Sequence, residues 1–153
     1  MDSIPNTIAI QNYLPHRAPM LMVDAITAIN ESEVETVFQI MPTNILVKND
    51  VFLEVGLIEN AAQTCSSIVA QSFFIDENEN EIKQVNVIGF ISGIKKINVF
   101  SLPKSGQIIK TKAALMSRFD AEEYKICTMK CTTFHQDELL FEAEINLFIK
   151  ENK

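Results

Sequence analysis

The sequence has no tryptophan and only four glycines, three cysteines and two histidines among its 153 residues. It also lacks any run of the ~18 consecutive apolar residues that a membrane-spanning helix requires. Its N-terminus has no basic start followed by an apolar stretch, which a secretory signal would have. We therefore expect a soluble, cytoplasmic protein with no membrane contact. With 47% hydrophobic and 22% charged residues, the composition is that of a globular protein, and we expect one domain over residues 1–153.

The few cysteines and histidines exclude two kinds of site. Cys65, Cys127 and Cys131 are odd in number, and the last two lie in a predicted strand, where a spacing of four residues separates Cα atoms by ~13 Å. That distance is too long for a disulfide, so we expect buried, reduced thiols. The two histidines, His16 and His135, are far apart in sequence, and no metal-ligand cluster is visible.

Basic residues are also few, 13 against 20 acidic ones, which gives a formal net charge of −7. Phosphate binding needs a basic surface, so we do not expect nucleic acid as a partner. One local basic patch consists of Lys95, Lys96 and Lys104. It has two interpretations: a surface that attracts an acidic protein, or the solvated face of a sheet, which is the commoner role of such runs.

The sequence does contain a clear order of predicted elements. We predict a short helix over residues 4–14 with Asn6 as its N-cap, strands over 20–29 and 32–40, a structured loop over 41–54, and a helix over 55–74. An acidic loop follows over 75–83, then strands over 85–100 and 106–120, and two strands over 123–150 separated by a turn at residues 135–137. This order predicts an α+β fold whose antiparallel sheet curls around the long helix. Such a sheet leaves an exposed edge, so we expect a homodimer.

The long helix is apolar around much of its circumference, as is typical of a helix enclosed by other structure. Within it, Glu59 and Gln63 lie one helical turn apart. Burying an ionised carboxylate is costly unless it is paired or has a function. Glu59 is therefore either a functional group or a carboxylate stabilised by the N-terminal end of the helix dipole.

Three segments resemble the 3-hydroxyacyl-acyl-carrier-protein dehydratase family. They are YLPHRAPMLMVDAI at 13–26, GLIENAAQ at 56–63 and VIGFISGIKKINVFSLPKSGQII at 87–109. The resemblance covers nearly the whole chain in the right order. It implies the hot-dog fold, in which an antiparallel sheet wraps one long helix. It also implies acyl carrier protein as the partner that presents the substrate on its phosphopantetheine arm, with no cofactor bound by this chain.

The resemblance implies a chemistry in which a loop histidine removes the α-proton and a helix carboxylate helps the hydroxyl leave, across a dimer interface. Glu59 matches the carboxylate, and Gln63 matches a glutamine one turn later. The place of the histidine falls near Asn44 or Ile45, where this chain has none. The chain is therefore similar to a divergent branch without the loop histidine, the hot-dog proteins of aryl-polyene pathways.

The missing histidine leaves the base beside Glu59 unidentified, with His16 or a bound water as the candidates and a structural role for His16 as the alternative. Glu54 stands where the family has a glycine whose N–H approaches the thioester carbonyl, and Gly56 is its nearest replacement. An asparagine can orient a thioester or hydroxyl by hydrogen bonds but cannot remove a proton at neutral pH. The substrate-binding candidates are Gln63, Gly56, Asn44, Asn60 and Phe90.

From these features we expect a protein that dehydrates or binds 3-hydroxyacyl chains on acyl carrier protein. Two alternatives stay open. One is a non-catalytic subunit or acyl-binding module that pairs with an active homologue, so that the dimer has unlike subunits. The other is a thioesterase, because hot-dog folds also hydrolyse acyl thioesters with a helix carboxylate, and fold alone does not separate these activities.

Overall fold

The computed structural model describes residues 8–9, 14, 16–74 and 87–151. In these residues a long helix, α1 (Glu54–Phe74), packs against an antiparallel sheet. The strands are β1 (Ile8–Ala9), β2 (Ala25–Ile29), β3 (Glu33–Gln39), β4 (Val47–Lys48), β5 (Val51–Phe52), β6 (Val87–Val99), β7 (Ile108–Asp120), β8 (Tyr124–His135) and β9 (Glu138–Glu151).

The main sheet has the strand order β1-β2-β3-β7-β8-β9-β6, and β4 and β5 form a separate small hairpin. Every pair of neighbouring strands is antiparallel. Strand β6 pairs with β9 along one side and, within the described part of the chain, with no strand along its other side. Helix α1 contacts β3 and all of β6 to β9. The predicted α+β architecture, with a sheet wrapped around one helix, is confirmed.

Alternation along the strands creates the core between sheet and helix. In β9, the buried residues Phe141, Ala143, Ile145, Leu147 and Ile149 alternate with partly exposed ones. Because successive side chains of a strand point to opposite faces, these five define the inner face of the sheet, which packs on α1. The helix contributes its own buried residues, Leu57, Ala61, Cys65, Ile68 and Val69 among them. Among the described residues, no helix is long and apolar enough to cross a membrane.

Two turns between strands are built by residue types that favour turns. The side-chain oxygen of Asn30 accepts hydrogen bonds from the backbone N–H groups of Ser32 and Glu33, each at 2.8 Å, and this closes the turn between β2 and β3. Gly106 has a φ of 88°, in the region that favours glycine. The three cysteines are free and buried, as predicted.

The prediction of an opening helix over residues 4–14 is wrong at Ile8–Ala9, which form β1 and pair with β2. Pairing there satisfies backbone groups at an edge of the sheet, and β-branched isoleucine fits a strand. The remainder of that predicted helix, apart from Leu14, lies outside the described residues, and so does the predicted acidic loop over 75–83.

The first long strand begins later than predicted, at Ala25 rather than near Met20. The reason is that the backbone N–H and C=O of Met22 are bonded to side chains of α1, not to a neighbouring strand. The backbone at Met20 and Met22 therefore lies against the helix. This departure from the predicted strand positions the candidate site.

Candidate functional site

A pocket of about 180 Å³ lies between α1 and strand β6. One wall is a helix face at the spacing i, i+3, i+4 and i+7, and the opposite wall comes from β6 and β9. His16 closes the pocket from the segment before β2. The lining residues are His16, Glu59, Ala62, Gln63, Ser66, Gly89, Phe90, Ile91 and Leu147.

The pocket brings together the two residues that the sequence proposed as an acid–base pair. His16 Nε2 lies 4.0 Å from Glu59 Oε1, and the two side chains are 25% and 28% exposed. Gln63 Nε2 donates to the same carboxylate oxygen at 2.9 Å. Both ionisable groups are thus partly buried, in mutual contact and still accessible to a ligand. Two groups that can exchange protons therefore face the same pocket.

Gln63 explains why His16 lies over Glu59. Its Oε1 accepts from the backbone N–H of Met22 at 2.7 Å, and its Nε2 also donates to the carbonyl of Met20 at 2.8 Å. One buried amide therefore holds the carboxylate and the segment that follows His16 at the same time. The structure places Gln63 as a positioning residue, with both of its polar atoms already engaged.

The electrostatics of the pocket favour a neutral imidazole at His16. Burial is the main cause that lowers its pKa below the ordinary value of 6.5, and Arg17 lowers it further, while the carboxylate of Glu59 acts in the opposite direction. The Nδ1 atom is buried and has no hydrogen-bond partner in the described structure. A neutral imidazole has a free lone pair, so His16 can accept a proton near neutral pH.

Asn60, Asn44 and Gly56 lie away from this pocket. Asn60 is buried, donates to the carbonyl of Met22 at 2.7 Å and accepts from Thr111 at 2.6 Å. Gly56 is covered by the ring of Phe52. Both therefore serve packing and segment attachment in this structure.

Asn44, near the place of the family's loop histidine, is part of a turn. Its Oδ1 accepts from the N–H of Leu46 at 2.8 Å, and its amide nitrogen lies 3.3 Å from the sulfur of Met22. Its neighbour Ile45 is half exposed. Neither residue is an acid or base, so neither can transfer a proton.

Phe90 borders the pocket, but its ring stacks on Phe148 with centroids 5.0 Å apart. Phe148 lies between the buried residues Leu147 and Ile149, so the stacked rings are on the outer face of the sheet. The basic residues Lys95, Lys96 and Lys104 are exposed. Whether they attract an acidic partner stays a prediction.

Sequence reasoning missed several lining residues. The helix spacing from Glu59 would have identified Ala62 and Ser66, because positions three and seven residues on lie on the same helix face. The sheet residues Gly89, Ile91 and Leu147 had no such signal, since they reach the pocket through strand pairing. In the described ranges, no group of three or more His, Cys, Asp or Glu side chains comes together as metal ligands would.

A larger hollow of about 570 Å³ lies on the outer face, beside the turn between β2 and β3. Its carboxylate Glu35 forms ion pairs with Lys110 and Lys112 at 3.5 and 3.8 Å. Exposed pairs of this kind contribute little to stability, and the carboxylate of Glu35 is already shared between two lysines. The smaller pocket is therefore the better candidate site despite its size.

Comparisons with known proteins agree on fold and family. The family model described as ApeP-like, ApeP dehydratase, matches residues 8–153. No curated protein matches the chain significantly. A solved structure of the dehydratase heterocomplex ApeI:P from Xenorhabdus doucetiae is similar, with a TM-score of 0.76, 15% identity, and coverage of 95% of this chain and 93% of that one.

Two other solved structures are also similar. A hypothetical thioesterase with coenzyme A from Streptococcus pneumoniae has a TM-score of 0.54, 13% identity, and coverage of 84% and 86%. An HP0420 homologue from Helicobacter felis has a TM-score of 0.63, 11% identity, and coverage of 95% and 91%. At these identities the structures bear on the fold alone, and they confirm the hot-dog fold. Since the family model spans nearly the whole sequence, this chain belongs to the ApeP-like dehydratase family.

Proposed function

We propose that this chain is one subunit of a dehydratase that removes water from 3-hydroxyacyl thioesters presented by acyl carrier protein, with Glu59 and His16 as the catalytic pair. The observation that carries the proposal is the 4.0 Å approach of His16 Nε2 to Glu59 Oε1 inside a pocket with an apolar wall. Family membership supplies the reaction class, and the resemblance of the sequence motifs supplies the thioester and its carrier.

The proposed step balances on these two groups. His16 Nε2 takes the proton from C2, and the electron pair of that C–H bond forms the C2=C3 double bond. The C3–O bond breaks, and the leaving hydroxyl takes up that same proton, relayed from the His16 imidazolium through the carboxylate of Glu59, and departs as water. His16 and Glu59 thereby return to their starting forms, a neutral imidazole and a carboxylate.

We propose a second hot-dog subunit at β6, and more specifically an unlike homologue. Strand β6 is thirteen residues long and has one described neighbour, β9. On its inner face Ile94, Ile97 and Val99 are 43%, 36% and 38% exposed. An unpaired edge with an apolar row is a template for another strand. The similar ApeI:P structure is a heterocomplex, which supports an unlike partner over a second copy.

The test is turnover of a 3-hydroxyacyl-carrier-protein by the chain alone and by the chain co-expressed with a hot-dog dehydratase homologue, following enoyl product and free thiol together. We expect enoyl product, and a fall in rate of about 10²–10⁴-fold for Glu59→Gln and for His16→Asn. The matched controls are Glu54→Gln, an exposed glutamate on the same helix, and His135→Asn.

The other outcomes identify the alternatives. If the complex forms enoyl product at the same rate with Glu59→Gln and His16→Asn, this chain is a non-catalytic subunit and the proposed pair is wrong. If free thiol forms in place of enoyl product, the complex is a thioesterase. If the chain alone dehydrates at the full rate as a homodimer, the unlike partner is unnecessary.

A further inference from the structure

Gly89 lines the pocket at a position where neither the backbone conformation nor the packing requires a glycine. It lies in β6 opposite Ile149, a buried inner-face residue, and it lines the pocket across from α1. A Cβ built on Gly89 would approach Ile149 Cγ1 at 3.5 Å and the carbonyl of Phe148 at 3.9 Å, which are ordinary contacts. Its φ is outside the left-handed region, unlike that of Gly106. An alanine would therefore fit.

A glycine in a strand that does not need one weakens folding, because it loses more conformational freedom than alanine does. Glycine inside a strand often marks a place where a ligand or another backbone approaches closely. Here the inner-face direction of the missing side chain favours the ligand, because that direction leads into the pocket. The loss of folding stability that the glycine causes is explained if the pocket must stay wide at this point.

The residues around Gly89 indicate which part of a substrate fits beside it. The facing helix residues are the small Ala62 and Ser66, and the hydroxyl of Ser66 donates to the carbonyl of Ala62 at 2.8 Å. Beside Gly89, the sheet wall carries the apolar side chains of Ile91 and Leu147. A phosphopantetheine arm has amide groups that need hydrogen-bond partners, whereas Ala62, Ile91 and Leu147 offer none and the hydroxyl proton of Ser66 is already donated. This part of the pocket therefore suits a hydrocarbon chain.

We infer that Gly89 is a specificity-determining residue that keeps the pocket wide enough for the acyl chain of the substrate beyond its reacting carbons. The inference rests on the proposed dehydratase function. A side chain at position 89 would narrow the gap between β6 and the Ala62–Ser66 face of α1. Short substrates would still reach Glu59 and His16, whereas long or ring-bearing chains would be excluded.

The test compares Gly89→Ala and Gly89→Val with wild type in the co-expressed complex, using 3-hydroxybutyryl, 3-hydroxyoctanoyl and 3-hydroxy-phenylalkanoyl carrier proteins. The matched controls are Gly93→Ala and Gly93→Val in the same strand. A Cβ at Gly93 would meet Asn146 Nδ2 at 3.7 Å, and Asn146 lies between buried residues, so that Cβ points to the outer face. Complex formation is followed by size-exclusion chromatography and folding by thermal denaturation.

For Gly89→Val, which adds three carbon atoms, we expect kcat/KM to fall at least about 10–200-fold for the two bulky substrates, the range for a single methylene in a fitted pocket, with the butyryl substrate nearly unchanged. Gly89→Ala should show a smaller loss in the same direction and a Tm at or above that of wild type. Both Gly93 variants should keep the wild-type ratio between substrates.

Three results would overturn the inference. An active complex whose substrate ratios are the same in wild type and both Gly89 variants removes the specificity role alone. Loss of complex formation in the Gly89 variants, with folding intact, assigns the glycine to the approach of a partner strand. A wild-type complex that dehydrates none of the substrates overturns the proposed function, and this inference with it.

Discussion

His16 shows how one residue acquires a role from its surroundings. Burial and Arg17 lower its pKa, and the carboxylate of Glu59 partly opposes them, so the folded protein favours the neutral imidazole. The unfolded chain has no such preference. Between the lowered pKa and 6.5, the unfolded chain therefore binds more protons at this residue than the folded protein does.

The pH dependence of stability should report this difference. Because the folded-state pKa of His16 is depressed, its contribution is fully present above pH 6.5 and is lost as pH falls from 6.5 through the folded value. We expect the free energy of unfolding, from urea titrations, to fall less steeply below pH 6.5 in His16→Asn than in wild type. His135→Asn is the control. Equal slopes for wild type and His16→Asn would contradict the assignment.

At the scale of the elements, the start of α1 depends on close packing against β5. Gly56 is buried, and a Cβ there would lie 2.5 Å from two atoms of the Phe52 ring and 2.8 Å from a third. Phe52 is itself fully buried and packs against Phe38 with ring centroids 5.8 Å apart. The ring has little room to move, so the glycine permits the approach of helix and hairpin.

This packing reverses the usual effect of removing a helical glycine. Glycine inside a helix is less favourable than alanine by about 0.5–1 kcal/mol, yet overpacking a core costs about 1–3 kcal/mol. We expect Gly56→Ala to lower the free energy of unfolding by about 1–2 kcal/mol, measured by chemical denaturation.

The double variant Gly56→Ala with Phe52→Leu is the control for that prediction. It should be more stable than the sum of the two single effects predicts, because the smaller side chain relieves the contact. A Gly56→Ala protein as stable as wild type would show that the close approach is not required.

At the scale of the whole molecule, the sheet is asymmetric in how its faces and edges are covered. Helix α1 covers the inner face of the central strands, and the inner row of β6 is partly left open. The candidate pocket borders that same open strand. A subunit that pairs with β6 would therefore cover the apolar row and close one side of the pocket.

A charge on this row should prevent assembly without unfolding the subunit. We expect Ile94→Lys to abolish association with the homologous subunit in size-exclusion chromatography, because edge lysines block strand pairing and a buried unpaired charge is costly. Its far-ultraviolet circular dichroism should match that of wild type. The control is Ile108→Lys, since Ile108 is similarly exposed but begins an interior strand. Normal assembly of Ile94→Lys would exclude β6 as the interface.

Local spacing determined much of this protein from its sequence. The helix predicted over 55–74 is Glu54–Phe74, and the strands after it were predicted within a few residues, because alternation and helical periodicity are set by neighbours along the chain. The same periodicity paired Glu59 with Gln63, since residues four apart meet on one helix face. The resemblance of three motifs added the hot-dog fold.

Only the tertiary structure decided which distant residues meet. Met22 and Gln63 are 41 positions apart, and their hydrogen bond brings His16 to Glu59. Strand pairing brings Gly89 and Leu147 to the same wall. It also makes Ile8–Ala9 a strand where sequence alone predicted a helix. These outcomes depend on contacts between segments far apart in the chain, which override local preference, so no spacing within the sequence could determine them.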